Sequence, residues 1–308
     1  MTRPRRVLHA AVLLLVGVLL AACGGSQDPL ANQGQAPAAA DVIRVGSANF
    51  TENRLLAEIY ATALSTRGVK VERNFGIGSR ETYFPGLQDG SIDLIPDYTG
   101  NLLQYLDKTA TATAPQDVYA QLQGKLPANL KVLPYSQAQD KDAVVVTRAF
   151  ATANNLRSID DLTRVCGQTT FGGPPEFQTR TYGIPGLQKL YGCTFAGFRS
   201  LDAGGPLTVA ALKDNTIQAA DLFTTDSSIP ENDFVVLDDP KSNFAAQNVV
   251  PLINASKAND PRVTEVLDAV STKLDTQVLT DLNRRLAGPD KPDPAQVARD
   301  WLASAGIG

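Results

Sequence analysis

The chain has 308 residues, with 28 lysines and arginines against 32 aspartates and glutamates, for a formal charge of −4 at neutral pH. Its first 22 residues hold three arginines and no acids, so removing them takes −4 to −7, and no long basic run follows; such a chain is not built to grip nucleic acid. The single histidine, His9, lies in the same segment, so the remainder has no Ser-His-Asp or Cys-His nucleophile and no histidine-based zinc site.

Arg3, Arg5 and Arg6 precede an apolar run, Val7 to Leu20, that closes on Leu20-Ala21-Ala22-Cys23. The run is about 14 residues, short of the roughly 20 needed to cross a bilayer, so 1–22 reads as a signal peptide. Small residues directly before a cysteine resemble a bacterial lipobox. Cleavage after Ala22 leaves Cys23 first in the mature chain and acylated, and two or more acyl chains anchor durably. The expected location is the extracytoplasmic face of the cell membrane, reached through the lipid alone. Residues 23–40, rich in Gly, Ser, Gln, Pro and Ala, read as a flexible spacer.

The body, 41–308, is long for one core and comfortable for two. Val42-Ile43-Arg44-Val45 reads as a strand. Asn49 and Glu52 have capping-box spacing at the start of a helix over 50–65, which shows Leu55, Leu56, Ile59 and Leu64 on one side. A strand over 69–73, a helix over 80–88 and a strand over 91–95 follow. The alternation returns with strands at 143–147 and 168–171 and helices near 158–162 and 179–191. This is an α/β pattern of βαβ units and mostly parallel sheet.

An internal echo points to two similar lobes. Gly86-Leu87-Gln88-Asp89-Gly90-Ser91-Ile92-Asp93-Leu94 resembles Ala211-Leu212-Lys213-Asp214-Asn215-Thr216-Ile217-Gln218-Ala219, each a helix end, a turn and a strand. Each leads to an aromatic with hydroxyls, Tyr98-Thr99 and Phe223-Thr224-Thr225, at the carboxyl end of a strand, where open α/β sheets bind ligands. Facing ends make a cleft between lobes. Cys166 and Cys193, an even pair outside the cytoplasm, are expected to form a disulfide bracing the segment that holds Phe177 and Arg180. Val263, Val266, Val270, Leu274 and Trp301 in the helical C-terminal stretch read as packing residues.

Four motifs in order, Gly46-Ser47-Ala48-Asn49-Phe50-Thr51-Glu52, Ile92-Asp93-Leu94-Ile95-Pro96-Asp97-Tyr98-Thr99-Gly100, Phe177-Gln178-Thr179-Arg180 with Gly183-Ile184-Pro185-Gly186-Leu187, and Phe223-Thr224-Thr225-Asp226, are similar to the ProX/OpuC-type binding proteins of ABC transporters for glycine betaine, choline and related osmoprotectants. The resemblance covers essentially the whole body. It implies a type II periplasmic-binding-protein fold: two α/β lobes, 41–140 plus 248–308 and 141–247, joined by a two-segment hinge, with the ligand cleft between them. It also implies a monomer that captures a small molecule, hands it to a permease with its ATPase subunit, needs no cofactor and catalyses nothing.

Members of that family hold quaternary ammonium in an aromatic cage, since such a cation has no N–H to donate and ring faces attract it by about 0.5–2 kcal/mol each. Tyr98 matches one cage tyrosine, and Phe223 stands where another is usual. Asp142 falls where a third aromatic is expected and Gln247 where a fourth is. Ala48 replaces a lysine that helps hold the betaine carboxylate in some members, and Arg180 matches the arginine that shares this task. Asn49, Phe50, Asn101 and Thr224 complete the expected ligand set. Asp142 fits two pockets: one in which its carboxylate attracts a cation, and one in which it pairs with Arg180 to receive a neutral, hydroxyl-bearing solute, which Gln247 also suits. The ligand is therefore either an osmoprotectant-type cation or another small polar or aromatic solute, and the alternative role is a ligand-sensing lipoprotein that keeps the fold without a transporter. For an enzyme, Asp97, Asp142 and Asp226 are the available acids. Tyr83, Tyr105, Tyr135 and Tyr182 read as packing or rim rings.

Overall fold

The computed structural model describes residues 42–307. The expected signal peptide, the expected Cys23 lipidation site and the expected spacer to residue 40 lie outside the described residues. No helix among the described residues is long and apolar enough to cross a membrane.

Among the described residues, ten strands form two five-stranded sheets. The first contains β1 (Val42–Ala48), β2 (Lys70–Gly78), β3 (Leu94–Tyr98), β4 (Leu130–Val132) and β10 (Val249–Asn254), in the order β2-β1-β3-β10-β4. The second contains β5 (Asp142–Thr147), β6 (Thr170–Gly173), β7 (Gly197–Ser200), β8 (Ala219–Phe223) and β9 (Phe234–Val236), in the order β7-β6-β8-β5-β9. Three strands of each sheet run parallel, as βαβ units require, but the strand that follows each crossing does not. β10 is antiparallel to β3 and β4, and β5 is antiparallel to β8 and β9. The sheets are therefore mixed rather than mostly parallel, because a chain arriving from the other lobe enters from the opposite end.

Strand alternation sorts the core onto two faces of each sheet. In β3 and β10, Leu94, Val249 and Ile253 pack with helix α1 (Thr51–Thr66) and the C-terminal helices, whereas Ile95, Val250 and Leu252 pack with helices α2 (Arg80–Asp89) and α3 (Thr99–Leu106). Val263, Val266, Val270, Leu274 and Trp301 belong to the first of these cores. In the second sheet Val144 and Val146 face the core that holds Phe171 and Phe177, and Ala143 and Val145 face the other side. The repeated helix-turn-strand units are alike in backbone: Gly90 (φ 80°) and Asn215 (φ 55°), both left-handed, turn the chain from helix toward β3 and β8.

Cys166 and Cys193 form the expected disulfide, 27 residues apart in sequence with Cα atoms 5.5 Å apart, inside the second sheet's core. The two segments that cross between sheets run side by side. Asp140 N–H donates to Gln247 O (3.1 Å), Val249 N–H donates to Ala138 O (3.0 Å), and Gln139 and Asn248 form an isolated antiparallel bridge. Two strands bridged this way are stiffer than one linker, yet only a few residues of backbone join the lobes.

Candidate functional site

A narrow cleft of about 50 Å³, partly open to solvent, lies where the ends of β1, β3, β5 and β8 converge. The aromatic side comes from both lobes. Phe50, just before α1, sits 5.9 Å from Tyr98 and 5.2 Å from Phe223 between ring centroids. Tyr98 ends β3, Phe223 ends β8, and Phe50 is the ring that joins them. The Tyr98 hydroxyl donates to Glu52 Oε1 (2.7 Å); burial, and then the Glu52 charge, push its pKa well up.

Glu52 thus has a different partner from the one its spacing with Asn49 suggests. The N-cap of α1 is Phe50, with no side-chain cap bond, and Asn49 is exposed at the cleft wall. Glu52 instead turns inward, where Oε2 also accepts from Thr225 Oγ1 and Asn283 Nδ2, both 2.6 Å away. Thr225 Oγ1 lies 2.8 Å from Asp140 Oδ1 as well. One hydroxyl proton cannot serve two carboxylates. Burial first and then the Glu52 charge raise the Asp140 pKa well above the ordinary value, which favours its protonated form in this cluster.

The acidic side belongs to β5 and β8. Asp142 opposes Phe223 across the antiparallel pair, and Asp221 lies two residues before Phe223 on the same strand, so all three share a face. Asp142 Oδ2 accepts from Asn101 Nδ2 of α3 at 2.7 Å, a contact that spans the lobes. Burial raises its pKa, and the Asn101 bond works against the rise. Burial and then the neighbouring Asp142 drive Asp221 well above the carboxylate range.

Two arginines close the remaining walls. Arg80, buried in the first turn of α2, donates to both oxygens of Asp97 (2.5 and 3.3 Å), and Tyr83 donates to Asp97 Oδ2 (2.7 Å). Burial alone would lower the Arg80 pKa; the Asp97 charge, Tyr83 and the Asp97 hydrogen bonds together outweigh it and raise the pKa well above its ordinary value. Arg180 does not pair with Asp142. It reaches across the cleft mouth to Glu81 of α2, with bonds of 3.1 and 2.9 Å, and donates to the Tyr182 hydroxyl at 2.8 Å. The partners explain the choice: Asp142 is held by Asn101, while Glu81 projects from the facing lobe.

Of the residues expected at the site, Asn49, Phe50, Tyr98, Asn101, Asp142, Arg180 and Phe223 line the cleft, as does Ala48. Gln247 and Thr224 stand behind it. Gln247 is buried and grips Asn101, accepting from its backbone N–H (2.9 Å) and donating to its Oδ1. Gly100 makes this approach possible, since a Cβ there would lie 2.6 Å from Ala246 O and 2.8 Å from Gln247 Nε2. Thr224 pairs with Lys141 at the first crossing: Lys141 N–H donates to Thr224 Oγ1 and Thr224 N–H to Lys141 O, both 2.9 Å. Sequence reading missed Asn53, Arg80, Tyr83, Glu176 and Asp221 as cleft residues. Asp221 was within reach of period-two counting from Phe223; Arg80 and Tyr83 gave no local sign, because their role depends on Asp97 across the fold. Asp97 and Asp226 are committed elsewhere, Asp97 to Arg80 and Asp226 to the Ser228 N–H (2.8 Å), so the three acids an enzyme might use do not act together. Among the described residues no group of three or more His, Cys, Asp or Glu is placed to hold a metal.

Residues 41–304 match the family described as the substrate binding domain of ABC-type glycine betaine transport systems. The chain belongs to this family. Members are substrate-binding proteins, not enzymes, so this chain is a solute-binding domain rather than an enzyme. The chain is 28% identical to a glycine-betaine-binding protein of Pseudomonas aeruginosa, with 86% of this chain and 88% of that protein covered. It is 27% identical to the glycine betaine-binding protein YehZ of Escherichia coli, with 87% and 92% covered. Its fold is that of the solved structure of a glycine betaine/carnitine/choline ABC transporter protein (TM-score 0.67, 21% identity, 86% of this chain and 99% of that one).

Proposed function

We propose that this protein captures a small quaternary-ammonium solute outside the cytoplasm and delivers it to the permease of an ABC importer. The observation that carries the proposal is the pairing of Phe50, Tyr98 and Phe223, drawn from both lobes, with the buried carboxylates of Asp142 and Asp221 in one cleft. Each ring contributes about 0.5–2 kcal/mol toward a cation. A carboxylate near 4 Å adds roughly 4 kcal/mol of attraction at an effective dielectric of 20, before desolvation is deducted. Arg80 and Arg180 are matched by Asp97 and Glu81, so Asp142 and Asp221 have no cationic side chain as partner and would ionise against a bound cation.

Capture works by lobe closure about the paired crossings near residues 140 and 247, with the lobes taken as 41–140 plus 248–308 and 141–247. Among the contacts between the lobes, four lie at the cleft: Phe50 on Phe223, Asn101 on Asp142, Arg180 on Glu81 and Thr225 on Glu52. All four break on opening, which is the device by which ligand occupancy is reported to the permease. The monomer is tethered by acyl chains at Cys23; Cys23→Ala is expected to shift it from the membrane to the soluble fraction.

The test is a thermal-shift and calorimetric panel of glycine betaine, choline and carnitine against neutral polar and aromatic solutes. A ligand at 100 times its Kd stabilises by about 2.7 kcal/mol. A saturable shift with at least one quaternary amine is expected. A shift with a neutral solute and none with any amine overturns the proposal.

A further inference from the structure

Asp221 is 1% exposed, lines the cleft, and its Oδ1 has no hydrogen-bond partner. Two of its charged neighbours are engaged elsewhere: Asp142 by Asn101, and Arg180 by Glu81 and Tyr182. A buried acceptor left unpaired is costly, so native proteins rarely keep one without a purpose. Its surroundings are also kept small. A Cβ at Gly173 on the adjacent strand would lie 3.1 Å from Asp221 Cβ, so a larger residue there would press on this side chain.

The position relative to the rings gives the purpose. Asp221 and Phe223 are two residues apart on β8 and project to the same face, with Cα atoms roughly 7 Å apart. One small molecule can therefore lie on the rings and reach the carboxylate. A quaternary nitrogen has no hydrogen to give, so a ligand that is only a quaternary cation leaves Oδ1 unpaired however well it fills the ring seat. We propose that Asp221 is a specificity-determining acceptor, and that the preferred solute is a quaternary-ammonium compound that also carries an O–H or N–H donor, which it gives to the Asp221 carboxylate. This rests on the cation reading of the cleft and narrows it. Burial and the Asp142 charge, which raise the Asp221 pKa, agree with a carboxylate that gains its charge partner and donor only with the ligand.

The experiment uses two matched pairs of probes, titrated by calorimetry into the wild-type protein, Asp221→Asn and Asp221→Ala. Choline is compared with its O-methyl ether, and carnitine with γ-butyrobetaine, which lacks the hydroxyl. In the wild type the hydroxyl-bearing member of at least one pair is expected to bind about tenfold or more tightly, as a hydrogen bond to a charged group implies. Asp221→Ala abolishes that preference, the two members of each pair then binding alike even though both cations are weakened by the lost carboxylate, and Asp221→Asn, which keeps the shape and a neutral acceptor, reduces it to about threefold. Equal binding within each pair by the wild type, or a preference that survives both substitutions, overturns the role of Asp221 while leaving the cation site standing. Saturable binding of none of the four probes overturns the cation site and this inference together.

Discussion

Replacing Gln247 by leucine separates a supporting role from a ligand-contacting one. Gln247 holds the Asn101 backbone N–H and side-chain Oδ1, and Asn101 in turn reaches Asp142 across the cleft. Leucine keeps the volume and removes both hydrogen bonds, so two buried groups of Asn101 lose their partners at about 1–3 kcal/mol each. Part of that is offset by apolar burial, leaving a net loss of about 2–4 kcal/mol. At roughly 2–4 °C per kcal/mol for a chain of this size, the melting temperature falls by about 4–16 °C. Affinity also weakens, because Asn101 no longer fixes Asp142. Differential scanning calorimetry with and without the best-bound quaternary amine measures both. An unchanged melting temperature combined with lost binding would refute the chain Gln247–Asn101–Asp142 and return Gln247 to the ligand shell.

Three further outcomes are expected. Phe223→Ala weakens cation binding by about 0.5–2 kcal/mol, or roughly two- to thirtyfold, since one ring face is removed; titration calorimetry checks it, and undiminished affinity in a folded variant counts against the ring seat. Asp140, Asp142 and Asp221 all have raised pKa values, with burial as the first cause. Their contribution is complete below the ordinary carboxylate pKa and is lost as pH rises through the raised values, so without added solute the melting temperature declines from about pH 4.5 upward and Asp140→Asn flattens the slope. A steady rise over that range contradicts the assignment. Replacing both Cys166 and Cys193 by serine removes a closure of 27 residues and costs about 2–4 kcal/mol by chemical denaturation.

Much of this protein could be read from its sequence where the signal is local. The first βαβ unit follows from the apolar spacing of Leu55, Leu56, Ile59 and Leu64, all fully buried in the fold. The disulfide follows from an even pair of cysteines in an exported chain. Other features rest on contacts distant in sequence. Glu52 has capping-box spacing yet bonds to Tyr98, Thr225 and Asn283, up to 231 residues away. β3 begins at Leu94 rather than 91, because Asp93 is used to clamp Arg44 (2.8 Å to Nε) and the helix α2 ends only at Asp89. The antiparallel course of β5 and β10 is a consequence of crossing between lobes, which apolar periodicity does not encode. In the cleft, Tyr98 and Phe223 were visible as strand-end aromatics, whereas the buried Arg80–Asp97 pair was not, since neither residue differs from a surface charge until the fold brings them together.

The most direct measurement is a crystal structure of the protein grown with choline or whichever quaternary amine binds most tightly. The cationic nitrogen is expected between the lobes, within about 6 Å of the centroids of Phe50, Tyr98 and Phe223. A cation seated elsewhere on the chain, with those three rings packed only on one another, would contradict the account.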